Sequence, residues 1–164
     1  MKEYFFQFLR SVEGNGYEAL LAAGISNLIA QWIKTAIVAF RKKKFNLSIL
    51  FSTGGMPSSH SSTVVGLATS VGLIEGFSSS SFAIAACFAT IVMYDAAGVR
   101  RAASRQAVVL NQIIQNLFQN HPEMNKGKLK ELLGHSPTEV IAGAGLGIVV
   151  SIAFRYWLND VLHH

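Results

Sequence analysis

Four stretches of this chain read as membrane spans: Tyr17 to Phe40, Pro57 to Glu75, Ser80 to Val99 and Pro137 to Leu158. A helix needs about 20 mostly apolar residues to cross the hydrocarbon core of a bilayer. Lipid offers the backbone no hydrogen bonds, so such stretches satisfy their own as helices. The sequence therefore predicts an all-α, polytopic membrane bundle of about four transmembrane helices plus amphipathic helices. Composition agrees, with 51% hydrophobic and only 14% charged residues, where a soluble domain carries about a quarter charged. A length of 164 residues fits one integral membrane domain, 1–164.

The remaining segments are polar or amphipathic. Residues 1–13 carry Glu3 and Glu13 and lack a small-residue cleavage site, so they read as an interfacial helix rather than a cleaved signal peptide. Residues 100–136 form a polar region. Within it, Val108, Ile113 or Ile114, and Leu117 recur at helical intervals, which predicts an amphipathic helix that extends the third span or lies on the bilayer. The single cysteine, Cys87, excludes an internal disulfide and reads as a small buried hydrophobe.

The basic residues are placed unevenly. Lys34 and Arg41 to Lys44 end the first span, Arg100, Arg101 and Arg105 follow the third, and Lys126, Lys128 and Lys130 precede the fourth. In a four-span topology that puts 11 of the 14 lysines and arginines on one side. Positive flanks stay in the cytoplasm, so this side is expected to be cytoplasmic. The short clusters beside apolar segments suit a lipid surface or a phosphate group, and no nucleic-acid partner is expected. Lys42 to Lys44 alone read as a topogenic run facing lipid headgroups.

The same side collects the groups able to do chemistry. His60 opens the second span, His135 precedes the fourth, Lys34 and Arg41 end the first, and Asp95, Arg100 and Arg101 end the third. An ionisable residue within a span is costly and marks a functional position by default; Lys34 and Asp95 both qualify. Lys34 has the simpler alternative of snorkelling to the interface, and Asp95 that of pairing with Lys34 or an arginine. Lys34 and Arg41 are seven positions apart, about two helical turns, and share a face. His135 and Glu139 are four apart, within reach on a helix, so the carboxylate can hold the imidazole in one tautomer.

The loop around "GGMPSSHSS" supplies the rest. Pro57 and Pro137 suit first helical turns, and the amides of Ser58 to Ser61 would then face an anion. Two imidazoles, several cations and a helix N-terminus describe a phosphoryl-transfer site that calls for no metal or cofactor. One histidine attacks phosphorus and the other protonates the leaving oxygen. His121, His163 and His164 read as exposed and idle. Gly143 and Gly147 form a G-x-x-x-G pattern, which fits close helix packing or the seam of a homodimer.

These residues resemble the type 2 phosphatidic acid phosphatase superfamily, which includes the vanadium haloperoxidases. Its motifs are K-x6-R-P, P-S-G-H and S-R-x5-H-x3-D. The chain has Lys34 and Arg41 at the first spacing with Lys42 in place of proline, and Pro57-Ser58-Ser59-His60 with serine in place of glycine. It has His135 and Glu139 at the third spacing with Glu in place of Asp; Lys128 and Leu129 stand where S-R is expected. "YDAAGVRRAASRQAVVLNQ" and "GHSPTEVIAGAGLG" look like the divergent membrane branch.

The resemblance implies a metal-independent phosphatase with a phosphohistidine intermediate, acting on a lipid phosphate or pyrophosphate at the bilayer. His135 would be the nucleophile, Glu139 its orienting partner and His60 the general acid. Lys34, Arg41, Ser58 and Ser59 would bind phosphate, and Arg100, Arg101 or Arg105 would supply the charge of the missing arginine. The alternative is a catalytically inactive protein that binds or transports an anionic lipid in the same pocket. Haloperoxidase chemistry fits less well, because those enzymes act on diffusible substrates; vanadate is expected to inhibit.

Overall fold

The computed structural model describes residues 2–42, 55–117 and 134–163. All regular elements among them are helices: α1 (Lys2–Val12), α2 (Gly16–Lys42), α3 (Ser59–Glu75), α4 (Ser80–Ala97), α5 (Val99–Leu117) and α6 (Pro137–His163). The predicted all-α bundle is the observed one. Three stretches are long and apolar enough to cross a membrane, Gly16–Phe40, Ser80–Leu117 and Pro137–His163. The second of the expected spans differs. Helix α3 has 17 residues, about 26 Å at 1.5 Å per residue, a little under the hydrocarbon thickness. It stands at the centre, packed against α2, α4 and α6.

Its boundaries follow from local chemistry. Ser58 is the N-cap, with its side chain accepting from the Ser61 amide, so one orphan donor of the first turn is satisfied. Pro57 therefore lies just outside the helix rather than in its first turn, whereas Pro137 does open α6. At the other end Gly76 takes a φ of 90° and its amide bonds to the Gly72 carbonyl. Ser79 then caps α4 by accepting from Phe82. Helices α4 and α5 are separated by Gly98, and α5 extends α4, one of the two placements read from the sequence.

Small residues pack the centre. Gly143, Gly147 and Ser151 recur every fourth residue on α6 and lie level with Ser58, Ser62 and Gly66 in a parallel pairing. A Cβ at Gly143 would collide with the Ser58 carbonyl, and one at Gly147 would press on the Ser62 carbonyl and the Gly66 amide. Hydroxyls fasten these backbones: Ser151 donates to the Gly66 carbonyl at 2.8 Å, and Ser62 donates to the Ser26 carbonyl of α2 at 3.0 Å. Van der Waals contact and such hydrogen bonds hold membrane helices together, since lipid is as apolar as the side chains. The G-x-x-x-G pattern thus serves packing within the chain. A smaller apolar cluster, Val64, Ala68 and Ala89, joins α3 to α4.

Cys87 is exposed, contrary to its reading as a buried residue. In a membrane bundle the outer face is as apolar as the core, so hydrophobic character does not select the inside. The chain ends meet at the end of the bundle away from His60. There Arg155 donates to the fully buried Glu18 at 2.6 Å, the Gly14 amide donates to the same oxygen at 2.7 Å, and His163 pairs with Glu13 at 2.9 Å. His163 is exposed as expected, yet it has a partner.

Gly147→Leu is expected to destabilise the detergent-solubilised protein by about 1–3 kcal/mol or more through overpacking. Gly145→Leu, at a site where an added Cβ meets nothing within 4 Å, should leave the thermal unfolding midpoint nearly unchanged. Equal effects of the two substitutions would contradict this packing.

Candidate functional site

The site lies where α3 and α6 begin, beside the ends of α2 and α4. The residues before α6 read Gly134-His135-Ser136. Gly134 is pressed so closely on the backbone of Arg100 and Arg101 that a Cβ there would overlap it. The His135 amide then donates to the Ala96 carbonyl at the end of α4. The Ser58 amide, opening α3, donates to the carbonyl of Glu139 on α6 at 3.0 Å. These two backbone bonds hold the histidine-bearing segments together.

A capping box orients the chemistry. Ser136 precedes Pro137, the first residue of α6, and Glu139 is three residues further on. The Ser136 amide donates to Glu139 Oε2 at 3.1 Å, and the Glu139 amide donates to Ser136 Oγ at 3.3 Å. This reciprocal pair satisfies two orphan donors of the helix start. The same Oε2 lies 3.0 Å from His135 Nδ1. A glutamate is long enough to serve the cap and the imidazole at once, which gives the Glu at this position a physical reason. The S-x-x-E signal is plain in "SPTE", but the sequence reading did not use it.

His135 is 2% exposed, and its Nε2 is buried without a hydrogen-bond partner. With Nδ1 donating to the carboxylate, Nε2 carries the lone pair. The half-buried His60 ring lies beside the His135 ring, with centroids 6.4 Å apart and planes at 61°. Around this pair the structure gathers Arg100, Lys34 and Asp95, all within electrostatic range of His60. Lys34 is buried to 1% exposure and within range of Glu139; it does not snorkel to the surface. Gly55 of the "GGMPSSHSS" loop lies against its aliphatic stem.

The other predicted residues divide. Ser58 is fully buried, and its hydroxyl is taken up by Ser61; its amide is held by Glu139. It shapes the turn and does not offer an amide to an anion. Ser59 is buried and next to His60, with its Oγ accepting from Gln31 Nε2 at 3.3 Å. Asp95 pairs with Arg100 at 2.6 Å, which resolves its partner as an arginine. Arg101 meets Gly134 through its backbone and its side chain is exposed. Arg105 is exposed on α5, lining a shallow groove with Gln106, Val109 and Leu110, and no contact joins it to the histidines. Arg41 is in the last turn of α2, and its side chain lies outside the described residues, as do Lys43, Lys44, Lys126, Lys128, Lys130, His121 and His164.

Sequence reasoning missed Gln31, one turn before Lys34 on α2 and in contact with Ser59. It also missed the Glu18–Arg155 pair. Both were signalled by polar or charged residues inside apolar segments, the feature that had drawn attention to Lys34 and Asp95.

In imidazole nitrogen NMR, wild-type His135 is expected as the Nδ1-protonated tautomer. Glu139→Ala should shift it toward the Nε2-protonated form that free histidine favours. An unchanged tautomer would remove Glu139 as the orienting group.

The divergent PAP2 family matches residues 16–150, from the start of α2 to well inside α6. The chain is similar to an uncharacterized membrane protein, YuiD, of Bacillus subtilis (strain 168). The two are 43% identical over 148 residues, covering 84% of this chain and 94% of the relative. No solved structure matches it.

Proposed function

The chain belongs to the divergent PAP2 family, and on that premise we propose that it is a membrane phosphatase that hydrolyses a lipid phosphate or pyrophosphate through a phosphohistidine. The observation that carries this reading is the state of His135. Its ring is buried, its Nδ1 is held by Glu139, its Nε2 is unpartnered, and the His60 ring lies beside it with centroids 6.4 Å apart. A buried unpaired polar atom costs free energy, so its retention at a convergence of cations supports a catalytic use.

In the first step the Nε2 lone pair attacks phosphorus, and the bond from phosphorus to the leaving oxygen breaks. His60 gives that oxygen its proton, releasing the dephosphorylated lipid. In the second step water attacks the phosphohistidine, His60 accepts a proton from it, and the N–P bond breaks to release phosphate. Glu139 accepts the Nδ1 proton's hydrogen bond throughout and stabilises positive charge on the ring. Lys34, Arg100 and Arg41 neutralise the transferring group. The amides of Ser59 and His60, in the first turn of α3, face the same charge.

A lipid substrate is supported by the site's place at one end of an apolar bundle, where a headgroup can enter while its chains stay in the bilayer. The clustered basic residues support the cytoplasmic face for that end.

Phosphate release by the purified protein from phosphatidic acid, phosphatidylglycerol phosphate and polyprenyl pyrophosphate tests the reading. His135→Ala is expected to abolish release, and His60→Ala to slow it by about 10²–10⁴-fold, the usual worth of a general acid. Full activity in both variants sinks the proposal. Phosphate binding without turnover by wild type would make the protein a binder of anionic lipid instead.

A further inference from the structure

We infer that Gln31, which lies outside all three motifs, is a phosphate-binding residue that donates its side-chain amide to the bound phosphoryl group. The inference rests on the phosphate-site reading above and extends it to a residue of α2.

Gln31 sits one turn before the buried Lys34 on the face of α2 that meets the start of α3. Its Nε2 donates to Ser59 Oγ at 3.3 Å, and Ser59 adjoins His60. Its Oε1 is buried and has no hydrogen-bond partner. The next polar residue along the helix, Asn27, contrasts with it. Asn27 Nδ2 donates to Thr63 Oγ1 at 2.8 Å, and Thr63 donates to the Ser59 carbonyl at 2.7 Å. The polar stripe between α2 and α3 is therefore satisfied at Asn27 and left open at Gln31, the position nearest the histidines.

An open position in a buried stripe costs stability unless something completes it. A carboxamide offers an oxygen on one side and an NH2 on the other, and a half-turn of its last torsion exchanges them. With the oxygen toward Ser59, the serine hydroxyl becomes the donor and the NH2 becomes the unpaired group. That group lies beside Ser59 in the first turn of α3, one helical turn from Lys34 on α2, and an anion is favoured at such a helix start. In the structure the NH2 faces Ser59 and the open atom is the carbonyl oxygen, which an anion repels. Binding of phosphate selects the first arrangement. Ser59 then acts through Gln31 by holding the amide, which accounts for a serine at the position where the family motif has glycine.

The test is orthovanadate binding, read as thermal stabilisation of the full-length protein in detergent, alongside KM and kcat for the best lipid substrate. Gln31→Glu keeps an acceptor for the Ser59 hydroxyl but replaces the NH2 by a negative oxygen. Gln31→Met removes the donor without adding charge, and serves if the glutamate variant is unstable. Both are expected to weaken vanadate binding by about 10- to 100-fold, the worth of a hydrogen bond to a charged group, with KM rising more than kcat falls. If wild type binds vanadate and both variants bind it equally well, Gln31 has only a packing role. If wild type does not bind vanadate at all, the phosphate-site reading itself fails and this inference with it.

Discussion

Backbone contact between α3 and α6 is the constraint on which the rest of the structure depends. Glycines on α6 let the α3 backbone approach so closely that no side chain fits between them, and the Ser151 hydroxyl of α6 pins the Gly66 carbonyl of α3. Two helices in such contact cannot slide past one another by small amounts. A slip of one turn would move one against the other by about 5.4 Å, nearly the separation of the two imidazole rings. The mutual position of His60 and His135 is thus decided in the bundle interior as much as in the loops that carry them. Both histidines stand at helix starts, and the helices run in parallel, so both ends arrive at the same level.

Helix-terminal chemistry then converts this register into a site. Ser58 and Ser136 each cap a helix, and each cap is spent on structure rather than on a ligand. What the caps leave is specific: one carboxylate oxygen shared between a helix start and an imidazole, and one ring nitrogen without a partner. The positive end of a helix dipole favours the carboxylate at Glu139, which holds the His135 ring at Nδ1. The polar stripe of α2, with Asn27, Gln31 and Lys34, closes the opposite side.

The sequence made the helices legible because a bilayer demands long apolar windows, and these windows survive any detail of packing. It made the convergence of Lys34, His60, Asp95, Arg100 and His135 legible for the same reason: alternate crossings return each polar end to one side. The faces of the helices were not legible. Inside a membrane bundle Ser26, Ser62, Gly66 and Gly147 are central while Cys87, Ile84 and Phe88 point outward, the reverse of a water-soluble core. Helix α3 was legible as the second span, but its place at the centre of the bundle, against α2, α4 and α6, was not, because that depends on small-residue packing. The roles of Arg100, Arg101 and Arg105 differ through tertiary packing: Asp95 claims the first, the approach of Gly134 positions the second, and the third projects along α5.

The Glu18–Arg155 clasp has a consequence for how the molecule is made. Its partners are 137 positions apart, so synthesis delivers the acid with α2 well before the base with α6. Until α6 arrives, Glu18 has no cation to answer it, and an acidic side chain in a lipid-exposed helix is disfavoured. Placement of Glu18 near the start of α2 limits that penalty, because water and headgroups can reach it at the bilayer edge. Its full burial in the folded bundle therefore depends on the docking of α6, which carries Arg155 to the start of α2.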